Sequence, residues 1–327
     1  RKSNAKLITC GNLEDDLDEL GSCDWIIEVV LEDLEVKHKT YETISKHMKK
    51  GAIVSSNTST IPLHKLAEGQ SAEFQKNFMI THFFNPPRYM RLLELISGEK
   101  TSAKAVETIK EVCDVKLGKG VVVCNDTPGF IANRLGVYWL TVGVNEAIKQ
   151  GVSIEVADAV MSKPVGIPKT GVFGLYDLIG LDLMVDVLKS FIKELPKDDL
   201  FHKVAQESSL ITKMISEGYT GRKGKGGFYR MNKEGGKKVL EAINLQTREY
   251  LPSKKIDLNM NNKIDIQKLI SRDDKYGNYA FSVISKIITY AASLIPEVTS
   301  EHNNIDEAMR LGFNWTMGPF EIFEKID

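Results

Sequence analysis

The sequence has little of several features that point to particular classes of protein. It has four cysteines and no Cys-x-x-Cys spacing, so we expect free thiols in a reducing compartment. No uninterrupted apolar run approaches the roughly 18 residues of a membrane-spanning helix. The formal net charge of −1 provides no basic field for nucleic acid. With 42% hydrophobic and 27% charged residues, the composition is that of an ordinary globular protein of about two or three domains.

Two ionisable residues stand in otherwise apolar, strand-like segments. Alternate residues of a strand share a face, and His82 shares its face of the segment 78–84 with apolar residues. Glu94 is flanked in the same way within the segment 92–96. Because unpaired burial of an ionisable group is costly, we expect the two residues to pair with each other. A carboxylate that orients an imidazole is a common general-base device, and the alternative is a core pair without a catalytic role.

The first 125 residues alternate strand-like and helix-like segments. The predicted strands are 6–10, 25–31, 52–56, 78–84, 92–96 and 120–124. The predicted helices are 12–20, 35–49, 60–68 and 102–117. Strands separated by helices of this length indicate a mostly parallel, doubly wound sheet with both faces covered. Such sheets bind ligands beyond the carboxyl ends of their strands, so we expect functional residues after 25–31, 52–56 and 78–84.

The pattern changes to helices after Asp126. Thr127 is suited to be an N-cap with Pro128 at the first helical position, and Gly151 ends the predicted helix. Asn133 falls in the apolar stripe of this helix. A buried amide needs hydrogen-bond partners, which are supplied either by the protein or by a ligand.

A helical segment occurs twice in the second half of the chain. Residues 158–179 begin with Asp-Ala-Val-Met and run on to Gly-Val-Phe-Gly, and residues 306–326 begin with Asp-Glu-Ala-Met and run on to Gly-Pro-Phe-Glu. The offset of 148 residues is shortened by one gap within the segment. The sequence therefore predicts two copies of one helical unit.

The segment 219–229, between the two copies, is rich in glycine and in basic residues. This composition is typical of a loop that contacts phosphate. However, the segment does not match the P-loop pattern and does not lie between a strand and a helix. A solvated turn is therefore the alternative interpretation.

Together these motifs resemble the L-3-hydroxyacyl-CoA dehydrogenase family of fatty acid β-oxidation. The matching segments are Ser55-Ser56-Asn57-Thr58-Ser59, His82-Phe83-Phe84-Asn85-Pro86, Leu93-Glu94, Asp126 to Arg134, Gly224 to Tyr229 and the two Gly-x-Phe repeats. The resemblance implies an α/β fold class, with an N-terminally truncated Rossmann-type doubly wound sheet followed by two all-α repeats of the family's C-terminal domain. The implied domains are a partial NAD-binding domain at 1–125, a first all-α domain at 126–232, and a linker with an incomplete second repeat at 233–327.

The resemblance also implies a reaction, the oxidation of L-3-hydroxyacyl-CoA to 3-oxoacyl-CoA with hydride transfer to NAD and no metal. His82 would be the general base and Glu94 would orient it, while Ser59 and Asn133 match positions that bind the substrate or help to orient the base. The positions that match contacts to the cofactor are Glu32, Lys37, Ser59, Asn85 and Lys223.

Several of these residues have alternative interpretations. Ser59 could cap the following helix. Asn85 could initiate a turn before Pro86, and Glu32 and Lys37 could be ordinary exposed charges.

The sequence departs from the family at its start. The family begins with a Gly-x-Gly-x-x-Gly turn, whereas Gly11 and Gly21 are the only glycines before residue 24 and lie too far apart. The chain begins at Arg1, and we expect it to be a piece of a longer protein. The alternative is a catalytically incompetent fragment, or a scaffold piece of a β-oxidation complex, that cannot hold NAD.

The resemblance further implies an acyl-CoA substrate and an enoyl-CoA hydratase domain or subunit as a partner. The tandem helical repeats could replace the homodimer that single-copy family members form. We expect a cytoplasmic protein, with the mitochondrial matrix as the alternative.

Overall fold

The computed structural model describes residues 2–206, 208–233, 236, 238–260 and 264–326. The chain divides into two compact units, Arg1–Thr127 and Pro128–Asp327. Every helix in the described ranges is too short or too polar to cross a lipid bilayer. All four cysteines are free thiols, as predicted.

The first unit is built on a mixed sheet whose strands lie in chain order. They are β1 (Trp25–Glu28), β2 (Ile53–Ser56), β3 (Phe78–Phe83), β4 (Leu92–Ser97) and β5 (Gly120–Cys124). β1, β2 and β3 are parallel, β4 is antiparallel to β3, and β5 is parallel to β4. The connection 84–91 is too short for a crossover helix, which explains the single antiparallel pairing among these strands. The prediction of a mostly parallel α/β sheet is confirmed.

Helices alternate with these strands. They are α1 (Leu34–His47), α2 (Leu63–Ala67), α3 (Ala72–Lys76) and α4 (Ala103–Glu111), which continues as a π-helical turn at Val112–Lys116. The Asp33 side chain caps α1 by accepting a hydrogen bond from the backbone N–H of Val36. On the buried side of α1, the ring of Tyr41 packs 5.6 Å from that of Phe74 and 5.0 Å from that of Phe78. This aromatic cluster fixes α1 against the sheet.

The predictions for the first 24 residues are wrong. The predicted strand 6–10 is replaced by a 3₁₀ helix at Lys2–Leu7 followed by irregular exposed chain, and the predicted helix 12–20 shrinks to a 3₁₀ helix at Leu17–Ser22. Asn12 accepts hydrogen bonds at its side-chain oxygen from the backbone N–H groups of Glu14 and Asp15. Such local bonds compete with a helical ladder.

The second unit is mainly helical. Its helices are α5 (Ala132–Gln150), α6 (Ile154–Val160), α7 (Phe173–Ile179), α8 (Leu181–Glu194), α9 (Ser209–Ser216), α10 (Ile266–Ile270), α11 (Lys275–Ser293), α12 (His302–Phe313) and α13 (Pro319–Ile326). The long helices α5 and α11 pack together, with Tyr138 stacked 3.9 Å from Tyr290 and the Tyr279 hydroxyl donating to the Gly143 carbonyl at 2.9 Å.

Of the two predicted ends of the first long helix, the C-terminal one is correct and the N-terminal one is not. Gly151 ends α5 in the left-handed conformation (φ 63°), as predicted. The predicted start at Pro128 is wrong, because Gly129 and Phe130 have φ values of 73° and 51° and the helix begins only at Ala132. Two left-handed residues in succession cannot belong to a right-handed helix.

The prediction that the region after residue 126 is all helical is also wrong. An antiparallel sheet is formed by β6 (Tyr229–Asn232), β7 (Val239–Ile243) and β8 (Tyr250–Pro252). Arg230 and Glu241 are direct cross-strand partners joined by an ion pair of 2.7 Å, and the Arg230 guanidinium lies 4.0 Å from the centre of the Tyr250 ring. Strands this short and polar carry little periodic signal in the sequence.

The two repeated segments contain the same contact. Asp158 accepts a hydrogen bond of 2.7 Å from the backbone N–H of Phe173, and Asp306 accepts one of 2.9 Å from that of Phe320. The glycines of the repeat make room for this contact. A Cβ on Gly171 or on Gly318 would lie 2.5 Å or 2.2 Å from the Cα of the facing aspartate.

Candidate active site

His82 and Glu94 form a buried hydrogen-bonded pair at the centre of the sheet. They are direct cross-strand partners on β3 and β4, and His82 Nδ1 lies 2.7 Å from Glu94 Oε2. His82 is 6% exposed and Glu94 is fully buried. The prediction that these two residues pair with each other is confirmed.

The pair has the geometry of a base and its orienting carboxylate. Because Nδ1 faces Glu94, Nε2 is the ring nitrogen that can exchange a proton with a ligand. The Phe84 ring packs edge-on against the imidazole at 5.1 Å, and the Cys124 thiol contacts Glu94 Oε1 at 3.9 Å.

A second buried charge cluster lies at the carboxyl end of β1, around Glu28. Its carboxylate accepts hydrogen bonds from the Lys37 ammonium at 2.9 and 3.2 Å, the Tyr41 hydroxyl at 2.8 Å and the Ser56 hydroxyl at 2.6 Å. The backbone N–H of Val30 donates to it at 2.6 Å. Glu28 is not among the predicted site residues, although a lone acid in the apolar segment 25–31 is the same signal that singles out His82 and Glu94.

Glu32 connects this cluster to the loop after β2. Its Oε2 lies 3.2 Å from the Lys37 ammonium, and its Oε1 accepts hydrogen bonds from the Thr58 hydroxyl at 2.5 Å and from the backbone N–H groups of Ser59 and Thr60 at 3.0 and 3.1 Å. Burial raises the pKa of Glu32, but the Thr58 hydrogen bond and the Lys37 charge outweigh it and leave the pKa lowered. Glu32 and Lys37 are therefore not ordinary exposed charges.

Ser59 follows β2 in a loop that is hydrogen-bonded to neighbouring segments of the chain. The interpretation of Ser59 as a helix cap is wrong, because α2 begins four residues later and Asp126 accepts the N–H groups of Leu63 and His64 at 2.5 and 2.8 Å. Asn57 in the same loop accepts the N–H of Phe83 at 2.9 Å. Ser59 is thereby fixed at the carboxyl end of β2.

Asn85 is exposed just after β3. It precedes Pro86 through a cis peptide bond, and the Pro86 carbonyl accepts hydrogen bonds from the N–H groups of Tyr89 and Met90 at 2.9 and 3.0 Å. A turn does follow Asn85. A contact to cofactor remains a prediction for this residue.

The remaining predicted site residues belong to the second unit. Asn133 is the second residue of α5 and is half-buried rather than fully buried. Lys223 is exposed, and its ammonium lies 2.9 Å from Asp182 Oδ1. The neighbouring Arg134 is fully buried, with ion pairs to Asp199 and, at 2.7 Å, to Glu297, so it serves the packing of this unit.

The glycine-rich segment wraps around Asp177. The Asp177 carboxylate accepts the N–H groups of Phe228 and Tyr229 at 2.7 and 2.8 Å, and its carbonyl accepts that of Arg222 at 2.9 Å. A Cβ on Gly227 would lie 2.0 Å from Asp177 Oδ1. These amide groups and this glycine serve close packing, while residues 222–225 form an exposed turn. A contact to phosphate remains a prediction for this segment.

Comparison with known proteins shows which family this chain resembles. Residues 1–127 match the family model described as 3-hydroxyacyl-CoA dehydrogenase, NAD binding domain, and residues 129–231 match that described as 3-hydroxyacyl-CoA dehydrogenase, C-terminal domain. A fatty acid oxidation complex trifunctional enzyme of Rickettsia prowazekii (strain Madrid E) is 43% identical over 315 residues, which cover 96% of this chain and 43% of that protein. A 3-hydroxybutyryl-CoA dehydrogenase of Deinococcus radiodurans is 34% identical over 219 residues, covering 66% of this chain and 74% of that protein.

A solved structure shares the fold. The crystal structure of 3-hydroxybutyryl-CoA dehydrogenase from Escherichia coli K12 matches with a TM-score of 0.71 at 23% identity, covering 93% of this chain and 75% of that one. The fold is thus that of a two-part α/β protein, with a mostly parallel sheet in one unit and mainly helices in the other. The chain belongs to the 3-hydroxyacyl-CoA dehydrogenase family. It spans less than half the length of the Rickettsia relative.

Proposed function

We propose that this chain catalyses the NAD-dependent oxidation of L-3-hydroxyacyl-CoA to 3-oxoacyl-CoA in fatty acid β-oxidation. The observation that carries the proposal is the buried His82–Glu94 pair on a sheet that matches an NAD binding domain. The names of the relatives from Rickettsia and Deinococcus support the same substrate class.

The pair supplies the proton chemistry of this reaction. His82 Nε2 takes the proton of the 3-hydroxyl group as the C3–O bond becomes a carbonyl, and Glu94 stabilises the imidazolium that forms. NAD, when bound, accepts the hydride that leaves C3. The substrate loses one hydride, which carries both electrons, and one proton, which His82 takes, so atoms and charge balance.

Three of the proposed binding residues lie just beyond the carboxyl ends of parallel strands. Glu32, Ser59 and Asn85 come after β1, β2 and β3, the three parallel strands, and the carboxyl ends of such strands are where doubly wound sheets bind nucleotides. We assign Glu32, Asn85 and Lys223 to contacts with the cofactor and Lys37 to the same site through its ion pair with Glu32, with Ser59 shared between the cofactor and the substrate. We assign Asn133 to the substrate.

NAD fits the chemistry of this strand edge. The Glu32 side chain is 37% exposed and its carboxylate is ionised, which suits an acceptor for ribose hydroxyl or amide donors. Residues 1–127 contain no Gly-x-Gly-x-x-Gly turn, so we propose that residues outside this sequence hold the pyrophosphate and extend the sheet. Ile27 on the edge strand β1 is 39% exposed, and the adjacent Val29 is 68% exposed, which supports a further strand there.

We further propose that 158–179 and 306–326 are two copies of the family's helical unit, within domains at 126–232 and 233–327. The equivalent aspartate contacts support this assignment. Packing of α5 on α11 within one chain would take the place of a homodimer contact. A hydratase domain or subunit is the expected partner, because the Rickettsia relative is named a trifunctional enzyme.

The direct test is NADH formation by the intact protein with a 3-hydroxyacyl-CoA substrate. His82→Ala is expected to lower kcat by about 10²- to 10⁴-fold, the usual contribution of a general base. The dissociation constant for NAD, measured by calorimetry, is expected to stay within about twofold because the imidazole takes part in proton transfer rather than in tight binding. Unchanged turnover in this variant would refute the role of His82. Failure of the wild-type protein to bind NAD would refute the proposed function.

A further inference from the structure

We propose that Glu28 is a positioning residue that sets the cofactor-facing geometry of Glu32 through Lys37. The inference rests on the proposed function, since it concerns the same strand edge. Neither the sequence motifs nor the assigned site residues include Glu28. Its place is fixed by the backbone, because it is the last residue of β1 and pairs with Ser56 at the end of β2.

The charge arrangement makes Glu28 the anchor of the cluster. Its side chain is fully buried, that of Lys37 is 2% exposed and that of Glu32 is 37% exposed. One ammonium group therefore lies between a buried carboxylate and a partly exposed one. A buried carboxylate needs hydrogen-bond donors around it, and Lys37, Tyr41 and Ser56 supply them here.

Lys37 acts by holding the Glu32 carboxylate rather than by contacting a ligand itself. The ammonium group has three N–H donors, and its neighbours are both oxygens of Glu28 and Oε2 of Glu32. A ligand contact by Lys37 would require it to give up one of these partners. The partly exposed group that the cluster presents is the Glu32 carboxylate, and Lys37 holds it in place.

The cluster also braces the loop that carries Ser59. The Ser56 hydroxyl donates to Glu28 and accepts the N–H of Thr58 at 3.2 Å, while the Thr58 hydroxyl donates to Glu32. The ends of β1 and β2 and the first turns of α1 are thus joined through one pair of carboxylates. Loss of the Glu28 charge would release Lys37 toward Glu32 and loosen this connection.

The test uses Glu28→Gln in the intact protein, which keeps the shape and removes the charge. We expect KM and the calorimetric dissociation constant for NAD to rise by about tenfold or more, as is typical when a residue that orients a binding group is lost. kcat at saturating NAD should stay within about threefold, since His82 and Glu94 are untouched.

Tyr41→Phe is the matched control, because it removes a neutral donor to the same carboxylate and leaves both charges. It should lower stability without moving KM for NAD. If Glu28→Gln alone does not fold, the double variant with Lys37→Met removes both buried charges together, a change that proteins often tolerate. It should fold and show the same rise in KM for NAD.

Two results would overturn the inference. In the first, Glu28→Gln or the double variant lowers the melting temperature but leaves the dissociation constant for NAD unchanged. Glu28 would then be a structural residue only. The other is an equal rise in KM for NAD in Tyr41→Phe. If the wild-type protein is active and either result is found, only the inference about Glu28 fails and the proposed function stands. If the wild-type protein does not bind NAD, both the proposed function and the inference about Glu28 fail.

Discussion

At the scale of single residues, the His82–Glu94 pair is a result of strand periodicity. Each residue occupies a position whose neighbours on the same face are apolar, and the antiparallel pairing of β3 with β4 places them opposite each other. The cross-strand distance is then short enough for a direct hydrogen bond. The catalytic proposal depends on this contact, so the carboxylate is the sharpest place to test it.

Glu94→Gln should lower kcat by about 100-fold, because an amide can still hold the imidazole but cannot stabilise its charge. KM for NAD should change little. Steady-state kinetics with both substrates varied separates the two effects. Glu99→Gln is the matched control, since it makes the same chemical change at an exposed position just beyond β4. A Glu94→Gln enzyme as active as this control would contradict the proposed role.

Glu32 should contribute to stability in a pH-dependent way. Its pKa is lowered on folding, so its contribution is present above its usual pKa of 4.5 and is lost as the pH falls through the lower folded value. The difference in unfolding free energy between wild type and Glu32→Gln should therefore shrink as the pH is lowered below about 4.5. Urea unfolding between pH 3 and pH 7 measures it. A difference that grows toward low pH would contradict this assignment.

Sequence reasoning identified His82 and Glu94 but not Glu28, for a physical reason. All three are lone ionisable residues in apolar strands. The segment 25–31 is a near-continuous apolar run, typical of a strand buried on both faces, and such a run does not by itself set its single acid apart. The partners of Glu28 come from α1 and β2, and the pattern of one strand does not contain them.

At the scale of elements, the glycine-rich segment shows that a glycine can have a structural cause that composition does not reveal. Gly221 and Gly227 allow close approach to Asp177, more than 40 residues earlier in the chain. The short sheet β6–β8 was missed for a related reason. Its stability depends on cross-strand contacts such as Arg230–Glu241, and these are not local in sequence.

Gly227→Ala should lower the free energy of unfolding by about 2–4 kcal/mol, because its methyl group would overlap Asp177 Oδ1. Gly51→Ala is the control. Gly51 has a positive φ of 82° and open space around it, so that change carries backbone strain of about 1 kcal/mol without overlap. Chemical denaturation of both variants gives the comparison. Equal losses would show that the approach to Asp177 is not what requires glycine at position 227.

At the scale of the whole molecule, the α/β class and the helical second half could be predicted, whereas the ends of elements and the first 24 residues could not. The strands of the sheet carry strong apolar patterns. The stretch around Leu7 and Ile8 is also apolar, but it lies exposed and outside the sheet, and a strand forms only where a neighbouring strand can pair with it.

The stability of the second unit should fall as the pH rises from about 4 to about 7. Burial raises the pKa of Asp158 to about 7 and those of Asp177 and Asp306 to about 6, although backbone N–H bonds oppose the shift. The folded chain then binds more protons than the unfolded chain in this window, so the unfolding free energy decreases with rising pH.

Fluorescence of Trp139 and Trp315 in a Trp25→Phe background reports on this unit during urea unfolding. Asp306→Asn is the informative variant, because the amide oxygen can still accept the Phe320 N–H while the titration is removed. The slope of stability against pH should become shallower in that variant. A slope that is unchanged, or that rises with pH in the wild type, would contradict the prediction.

The antiparallel step between β3 and β4 has a consequence for how this chain can change in length. The alignment of His82 with Glu94 is set by the backbone ladder of the two strands and not by the connection 84–91. Insertions in that connection beyond Pro86 should therefore leave the pair aligned. A deletion of one residue within either strand would instead turn one partner to the opposite face of the sheet. The spacing of residues within the two strands, rather than the length of the chain between them, therefore keeps His82 opposite Glu94.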